Sequence, residues 1–443
     1  MQGHQHSMWN KEIEQTTSEV TCPGCGLSCD DLKIELSNGQ LKSLQNGCGL
    51  ARNFYNSAFE YTDSNPMIEG KPASLDKALG YAVELLRHAR SPLFAGLATD
   101  VNGMRSMLGL ADRCGATLDH LNGDAMFRNV RMVQDSGWFT TTFTEVRNRA
   151  DLILLVGSQC IDRFPRLVER VLHPDESLFT ETDQRRVVLL GPWKQQSLPD
   201  ELAQLNPTLI TTEIESLSDV IGLLRGLIAG RAVNPDRLGH DLSDALRQLG
   251  EDLQQANYSA ICWSAAELDI PHAELTVQGL VDLVKELNLK TRSAALPLAG
   301  TQADITSNQV CTWQLGYPLR TRLQRGYPEH DPLLNRWQSL LERGESDLLL
   351  WVSSLSPEAV PPPSETATVV LGHAGMVFEK PPALFIPVGV PGIDHQGHWY
   401  RSDGVCSLPL GKLRETGLPP VSLIADRLKE RLLPSASETE GAA

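Results

Sequence analysis

Four cysteines near the N-terminus constrain the fold of this chain more than any other feature. Cys22, Cys25 and Cys29 fall within eight residues and Cys48 follows, which gives the pattern C-x2-C-x3-C-x18-C. Three closely spaced thiols and one remote thiol can meet at one centre when a short hairpin brings the chain back. We therefore predict a small metal-binding unit with Cys22, Cys25, Cys29 and Cys48 as its ligands.

Four thiolates suit either an iron–sulfur cluster or a zinc ion. Structural zinc sites usually consist of two CxxC-like pairs, each on its own turn. The three-plus-one spacing favours a [4Fe–4S] cluster, whose sulfides can accept bonds from backbone amides that approach closely at glycines. A zinc site and a set of free thiols are the alternatives.

The segment between the third and fourth cysteines has the pattern of a hairpin. Residues 32–36 alternate between apolar and polar like a strand, residues 37–39 (Ser-Asn-Gly) favour a turn, and residues 41–44 return. This hairpin would bring Cys48 close to Cys29.

Continuous apolar runs dominate the rest of the chain. The clearest is residues 150–157, A-D-L-I-L-L-V-G, and runs without polar alternation belong to parallel sheets covered on both faces. Helical spacing separates such runs, for example at residues 74–89, where Ser74 is placed to cap the helix. The sequence therefore predicts an α/β fold with doubly wound sheets and a long connection over residues 300–330.

These patterns divide the chain into five predicted parts. In order they are a flexible N-terminus at 1–18, an iron–sulfur domain at 19–62, a first α/β domain at 63–215, a second α/β domain at 216–433, and a disordered tail at 434–443.

Composition excludes several classes of partner. The net charge of −16 argues against binding to nucleic acid or to an anionic membrane surface. No apolar run is long enough to span a bilayer, and residues 1–6 do not begin a secretion signal. Nine cysteines, five of them scattered, do not form a disulfide framework, so we expect a cytoplasmic protein.

Motifs for independent catalysis are missing from the sequence. It contains no G-x-G-x-x-G after a strand, no G-x-S-x-G and no H-E-x-x-H. Residues 157–160 (G-S-Q-C) end a predicted strand, and we interpret them as a turn with a buried thiol. We expect His373, His395 and His398 to be surface or interface residues. We predict no catalytic residue in this chain.

The cysteine motif and several later stretches resemble the B subunit of formylmethanofuran dehydrogenase, a molybdenum- or tungsten-pterin oxidoreductase. The matching stretches include C-P-G-C-G-L-S-C-D-D at 22–31, V-R-N-R-A-D at 146–151, T-W-Q-L-G-Y-P at 312–318, R-G-Y-P at 325–328 and Y-R-S-D-G at 400–404. The resemblance implies a small cluster domain on two Rossmann-like α/β units. It also implies two-electron chemistry of formate-level carbon at a pterin-bound metal.

One part of the sequence departs from this family. In its catalytic members a cysteine before the N-R-A-D strand binds the metal, whereas the matching segment here, residues 119–134, contains no cysteine. The ligand position falls near Ala125 or Met126, and neither side chain supplies the anionic donor that such a metal needs. We therefore expect a [4Fe–4S] cluster but no molybdopterin or tungstopterin.

This pattern resembles the bacterial formyltransferase/hydrolase complex, which contains relatives of the dehydrogenase subunits. The resemblance implies a non-catalytic B-like scaffold that assembles with A-, C- and D-like subunits in tetrahydromethanopterin-linked one-carbon metabolism. Two alternatives remain. One is an active pterin oxidoreductase whose metal is held by another group such as Asp124, and the other is an independent iron–sulfur electron carrier.

Overall fold

The computed structural model describes residues 14–62, 64–232 and 239–433. The predicted disordered tail at 434–443 and residues 1–13 of the predicted flexible N-terminus lie outside the described residues. The prediction was wrong for residues 14–18, which belong to a strand, Glu14–Val20. Its side chains are mostly exposed, so the strand is held by backbone pairing with Leu32–Ser37, which the apolar pattern did not reveal.

Strands and helices alternate along most of the chain. The strands are β1 Glu14–Val20, β2 Leu32–Ser37, β3 Gln40–Gln45, β4 Met67–Ile68, β5 Lys71–Pro72, β6 Pro92–Ala98, β7 Thr117–Leu118, β8 Leu152–Val156, β9 Arg186–Gly191, β10 Thr208–Thr211, β11 Ser259–Trp263, β12 Ser293–Pro297, β13 Thr321–Arg322, β14 Glu329–His330, β15 Leu348–Ser353, β16 Ala367–His373, β17 Leu384–Val388, β18 Gly397–Tyr400 and β19 Ser407–Leu410. The helices are α1 Gly49–Glu60, α2 Leu75–His88, α3 Val101–Cys114, α4 Gly123–Ser136, α5 Phe143–Arg149, α6 Cys160–Arg163, α7 Asp200–Ala203, α8 Leu217–Ile228, α9 His240–Gln255, α10 Ala273–Leu287, α11 Asp304–Leu315, α12 Trp337–Glu342 and α13 Val421–Arg431.

A three-stranded antiparallel sheet, β1-β2-β3, forms the N-terminal unit. The predicted hairpin is present, and its turn residues Asn38 and Gly39 both have positive φ, at 51° and 76°. Two successive positive φ values are typical of the tight turn that matches the twist of a hairpin. The turn fixes the register that returns the chain to Cys48.

A five-stranded parallel sheet lies in the middle of the chain. Its order is β10-β9-β8-β11-β12, so the first strand, β8, is central and the chain extends the sheet in both directions. Every residue of β8 and β11 is buried, as the continuous apolar runs predicted. Helices α8, α9 and α10 supply apolar side chains to the same core.

The largest sheet has nine strands in the order β14-β13-β7-β6-β15-β16-β17-β4-β5. Its central strands β6, β15, β16 and β17 are parallel, and antiparallel pairs complete both edges. The predicted mixed α/β fold with several sheets is therefore confirmed. Both large sheets take strands from 63–215 and from 216–433, so the predicted boundary at residue 215 does not separate them.

Two local predictions were wrong. The predicted connection at 300–330 contains the helix α11, whose buried face includes the polar residues Thr306 and Ser307. A polar buried face gives no helical apolar pattern, which explains the error. From the sequence we also expect a helix over residues 331–343. It begins only at Trp337, because the Asp331 carboxylate accepts from the amides of residues 333 and 334 and holds a turn.

A search of the described residues for a helix able to cross a membrane finds none.

Candidate functional site: the cysteine loop and an adjacent cavity

The structure brings the four predicted cysteines together. Cys22, Cys25, Cys29 and Cys48 all line one small cavity in the N-terminal unit. The first three are buried, each with 6% of its surface exposed, and Cys48 is partly exposed immediately before helix α1. All nine cysteines of the chain are free of disulfides.

Backbone hydrogen bonds shape the loop that carries the first three cysteines. The amide of Cys22 donates to the carbonyl of Cys29 at 2.8 Å, and the amide of Ser28 donates to that of Cys25 at 3.1 Å. The amide of Gly24 points at Cys22 Sγ from 3.4 Å. A closed loop with an amide directed at a sulfur is suited to stabilise a thiolate.

Burial disfavours isolated thiolates at this site. Burial raises the pKa of Cys25 to about 12 and that of Cys29 to about 11, and it raises the pKa of Cys22 well above its usual value. The neighbouring cysteines add to the increase for Cys22 and Cys25 because their negative charges would repel each other. Positive charge, such as that of a metal centre, would be needed to hold several thiolates here.

Two arginines supply part of that positive charge. Arg166 lines the cysteine cavity, and both Arg166 and Arg170 lower the pKa of Cys29 against the effect of burial. Arg166 forms a bidentate ion pair with Asp31 at 2.7 Å, and Arg170 binds Asp30 at 2.6 Å. The two carboxylates directly after Cys29 therefore fix the guanidinium groups beside the thiols.

The four thiols suit a metal centre by their chemistry. Thiolates are the ligands of iron–sulfur clusters and of structural zinc sites. Within the described ranges, no three His, Cys, Asp or Glu side chains form a ready-made site for one metal ion. The cysteine cavity is therefore a candidate site, and the nature of its occupant belongs to the proposal below.

A second, larger cavity of about 500 Å³ lies next to the cysteine loop. Its walls are helix α4, helix α11, the loop at residues 402–405, and the segments that follow β11 and β12. Ligands of open α/β sheets bind outside the carboxyl ends of the parallel strands, and this cavity lies at that edge.

The segment in which the sequence lacks a metal-binding cysteine faces this cavity. Ala125 and Met126, at the position that the resemblance gives to the ligand, both line the wall. Among the described lining residues, none is a cysteine and Arg163 is the only basic one. A phosphorylated pterin with its metal requires an anionic metal ligand and several phosphate-binding groups, so these residues do not fit it.

Asp124, the alternative ligand, does not line the cavity and its carboxylate is already engaged. It accepts hydrogen bonds from Arg320 at 2.6 Å and from Arg336 at 2.7 and 2.8 Å. Although burial opposes the change, these two guanidiniums lower the pKa of Asp124 to about 2. Metal binding by Asp124 would have to break both ion pairs, one of them with an arginine that is almost fully buried.

The cysteine loop and the large cavity share a wall. The carbonyl of Gly26 accepts from the amide of Ser402 at 2.8 Å, and Ser402 Oγ accepts from the amide of Ala299 at 2.8 Å. Ala299 and Ser402 both line the large cavity. A Cβ on Gly26 would overlap the Ala299 carbonyl oxygen and lie 2.9 Å from Gly300 Cα, so only glycine allows this approach.

The turn at 157–160 agrees with its structural interpretation. Cys160 is fully buried, and Glu267 accepts from the amide of Ser158 at 2.6 Å and from that of Gln159 at 3.0 Å. A Cβ on Gly157 would overlap the same carboxylate. Glu267 therefore fills the end of strand β8. Sequence reasoning missed it because the two positions are about a hundred residues apart.

The three histidines have different environments. His398 is exposed and His395 is partly exposed, but the expectation was wrong for His373, which is 1% exposed at the end of strand β16. Its Nδ1 accepts from the amide of Gly375 at 3.1 Å, and its ring packs edge-on against Tyr61. His373 is therefore part of the packed core and not of the surface.

Comparison with known proteins shows which proteins the chain is similar to. No protein-family profile matches the chain. It is 26% identical to the B subunit of the tungsten-containing formylmethanofuran dehydrogenase 2 of Methanocaldococcus jannaschii, over 92% of this chain and 95% of that protein. It is 28% identical to the B subunit of the formyltransferase/hydrolase complex of Methylorubrum extorquens, over 73% of this chain and 85% of that protein.

The chain is similar over most of its length to B subunits of formylmethanofuran dehydrogenase and of the formyltransferase/hydrolase complex. The resemblance predicted from the cysteine motif and the later stretches is confirmed. The fold agrees, since the chain superimposes with a TM-score of 0.71 on a chain from the solved formyltransferase/hydrolase complex of M. extorquens with methylofuran. That match is 24% identical and covers 85% of this chain and all of the other.

Proposed function

We propose that this chain is the B-like subunit of a formyltransferase/hydrolase complex in one-carbon metabolism, and that it acts as a non-catalytic scaffold. The observation that carries the proposal is the cavity wall at Ala125 and Met126, where catalytic relatives would need an anionic metal ligand. The similarity to the B subunit from M. extorquens supports the same assignment.

The proposed partners are the A-, C- and D-like subunits of that complex. Support comes from the relative whose name and solved structure are those of a multi-subunit assembly. The proposal includes no nucleic-acid or membrane partner. It places the protein in a reducing cytoplasm, in keeping with its nine free cysteines.

Within this proposal Cys22, Cys25, Cys29 and Cys48 hold a [4Fe–4S] cluster, and the two larger sheets are Rossmann-like units that have kept the plan of a pterin oxidoreductase. The five-stranded sheet supports the second point, because its first strand is central and later strands extend both sides. The cluster has a structural role, since metal ligation contributes folding free energy to a unit of three short strands and one helix.

Elemental analysis of the complex, purified without oxygen, tests the proposal. Near four irons per chain, with no molybdenum or tungsten, is the expected result. Cys25→Ser should lose the iron, whereas Cys262→Ser is a matched control, because Cys262 is also buried but does not line the cavity of the four cysteines. About one molybdenum or tungsten per chain would contradict the scaffold function.

The second candidate is an active molybdenum- or tungsten-pterin subunit. The longer match to the tungsten-containing enzyme of M. jannaschii favours it, since that alignment covers 92% of this chain. It predicts that Asp124→Asn removes both the metal and dye-linked formate oxidation. The ion pairs of Asp124 with Arg320 and Arg336 argue for the scaffold instead.

A further inference from the structure

The large cavity combines an apolar wall with very little charge. Half of its lining is apolar, including Met126, Val130, Val133, Trp138 and Phe164. Most polar residues in the wall are amides and hydroxyls, which carry no charge. A concave site with apolar walls and a few polar groups is the usual form of a small-molecule site.

The two acids in the wall already have hydrogen-bond donors within the protein. Asp304 accepts from the amides of Gly300 at 2.8 Å and Ile305 at 2.6 Å, and burial raises its pKa to about 6. Asp403 forms an ion pair with Arg401 at 2.5 Å. Donors of the protein therefore hold both carboxylates, although Asp403 Oδ1 has no hydrogen-bond partner.

Arg163 is the only cationic side chain among the described residues that line this cavity. Its Nε donates to the side chain of Gln159 at 3.0 Å, and in the described part of the chain its two terminal nitrogens form no hydrogen bond or ion pair. The neighbouring Phe164 ring is fully buried and lines the same cavity. One guanidinium fork beside aromatic surface matches a single carboxylate on a planar ring.

We propose that this cavity binds an aromatic monocarboxylate, with the ring against the apolar wall and the carboxylate on Arg163. A dianion or a polyphosphate is excluded because one guanidinium cannot compensate it inside an apolar wall. The proposal rests on that part of the proposed function in which no pterin fills the cavity. The proposed ligand has one negative charge and no phosphate group, unlike a phosphorylated cofactor.

Calorimetric titration of the intact complex with three naphthalene probes tests the proposal. The probes are 2-naphthoate, its uncharged amide and 2-naphthyl phosphate, which share one ring and differ in charge. Naphthoate should bind about tenfold more tightly than the other two. Arg163→Gln should weaken naphthoate at least tenfold and leave the amide unchanged, because only the charged hydrogen bonds are lost.

Two variants on helix α4 locate the binding. Ala125→Trp fills the cavity and should abolish binding of all probes, whereas Asp135→Trp adds the same side chain at an exposed position of the same helix and should leave binding unchanged. No binding of naphthoate, tighter binding of the phosphate, or binding that survives Ala125→Trp would overturn the inference. Molybdenum or tungsten in the same preparation would instead overturn the proposed function.

Discussion

Gly26→Ala is the sharpest test of the wall that joins the cysteine loop to the large cavity. The new methyl group would overlap the Ala299 carbonyl oxygen and lie 3.0 Å from the carbon of the same carbonyl and 2.9 Å from Gly300 Cα. Both neighbours are backbone atoms, so no side-chain rotation can remove the overlap. The φ angle of Gly26 is not in the left-handed region, so alanine adds no backbone strain there. The loss of stability therefore reports on the contact with residues 299 and 300.

The expected loss of stability follows from two contributions. Overpacking of a tight contact costs about 1–3 kcal/mol. The added methyl group also pushes the cysteine loop away from residues 299–300. This movement weakens the hydrogen bond from the Ser402 amide to the Gly26 carbonyl, which contributes about 1 kcal/mol. Gly26→Ala should therefore lower the free energy of unfolding by about 3 kcal/mol.

Urea unfolding measures this change, and hydrogen exchange at residues 299–302 shows whether it begins at the shared wall. Gly49→Ala is the matched control, because it lies in the same unit and a Cβ there meets nothing within 4 Å. It should change stability by less than about 0.5 kcal/mol. Equal midpoints for the Gly26 and Gly49 variants, with unchanged exchange, would refute the close contact.

Three further predictions concern buried polar groups. Burial lowers the pKa of His373 to about 4, so the folded state binds its proton less readily than the unfolded state, and stability is lost as the pH falls from about 6.5 towards 4. At pH 5 this loss of stability is about 2 kcal/mol. Urea midpoints of wild type and His373→Gln, each measured at pH 7 and pH 5, test it. The wild-type midpoint should fall further than that of the variant, because acids that titrate in this range affect both proteins equally. Arg320→Met leaves Asp119 buried without its partner and should cost about 3–5 kcal/mol, whereas Arg325→Met, at an exposed ion pair, should cost less than about 0.5 kcal/mol in the same assay. Trp399→Phe removes a buried hydrogen bond of 2.8 Å from the indole N–H to the Ser28 hydroxyl in the cysteine loop, and it should cost about 1–2 kcal/mol. Unchanged hydrogen exchange of the amides in that loop would count against the contact.

Features with a local cause were predictable from the sequence. The hairpin of β2 and β3 follows from alternation and from an Asn-Gly turn, and strand β8 follows from a continuous apolar run. The cysteine site follows from the spacing of its four thiols, which the hairpin brings to one cavity. In each case the signal lies within a few tens of residues.

Features that depend on distant partners could not be predicted in the same way. Helix α11 was missed because its buried Ser307 hydroxyl donates to the Leu97 carbonyl, and its buried Thr306 hydroxyl accepts from the Tyr400 amide. These polar residues look solvent-exposed in sequence. The ion pairs of Asp124 likewise join residues about two hundred positions apart. The family resemblance located Ala125 and Met126, but only the structure shows the rest of their cavity.

The contacts of the cysteine unit also set an order of events during synthesis. Its loop is held by residues 299–300 and 402, and the end of helix α1 is capped by Arg414, which donates to the carbonyls of Ala58 and Tyr61 at 2.7 Å each. A ribosome makes the four thiols well before these partners. The nascent cysteine loop therefore stays open until the segments at 299–300, 402 and 414 have been made, and any metal centre it receives is enclosed only then.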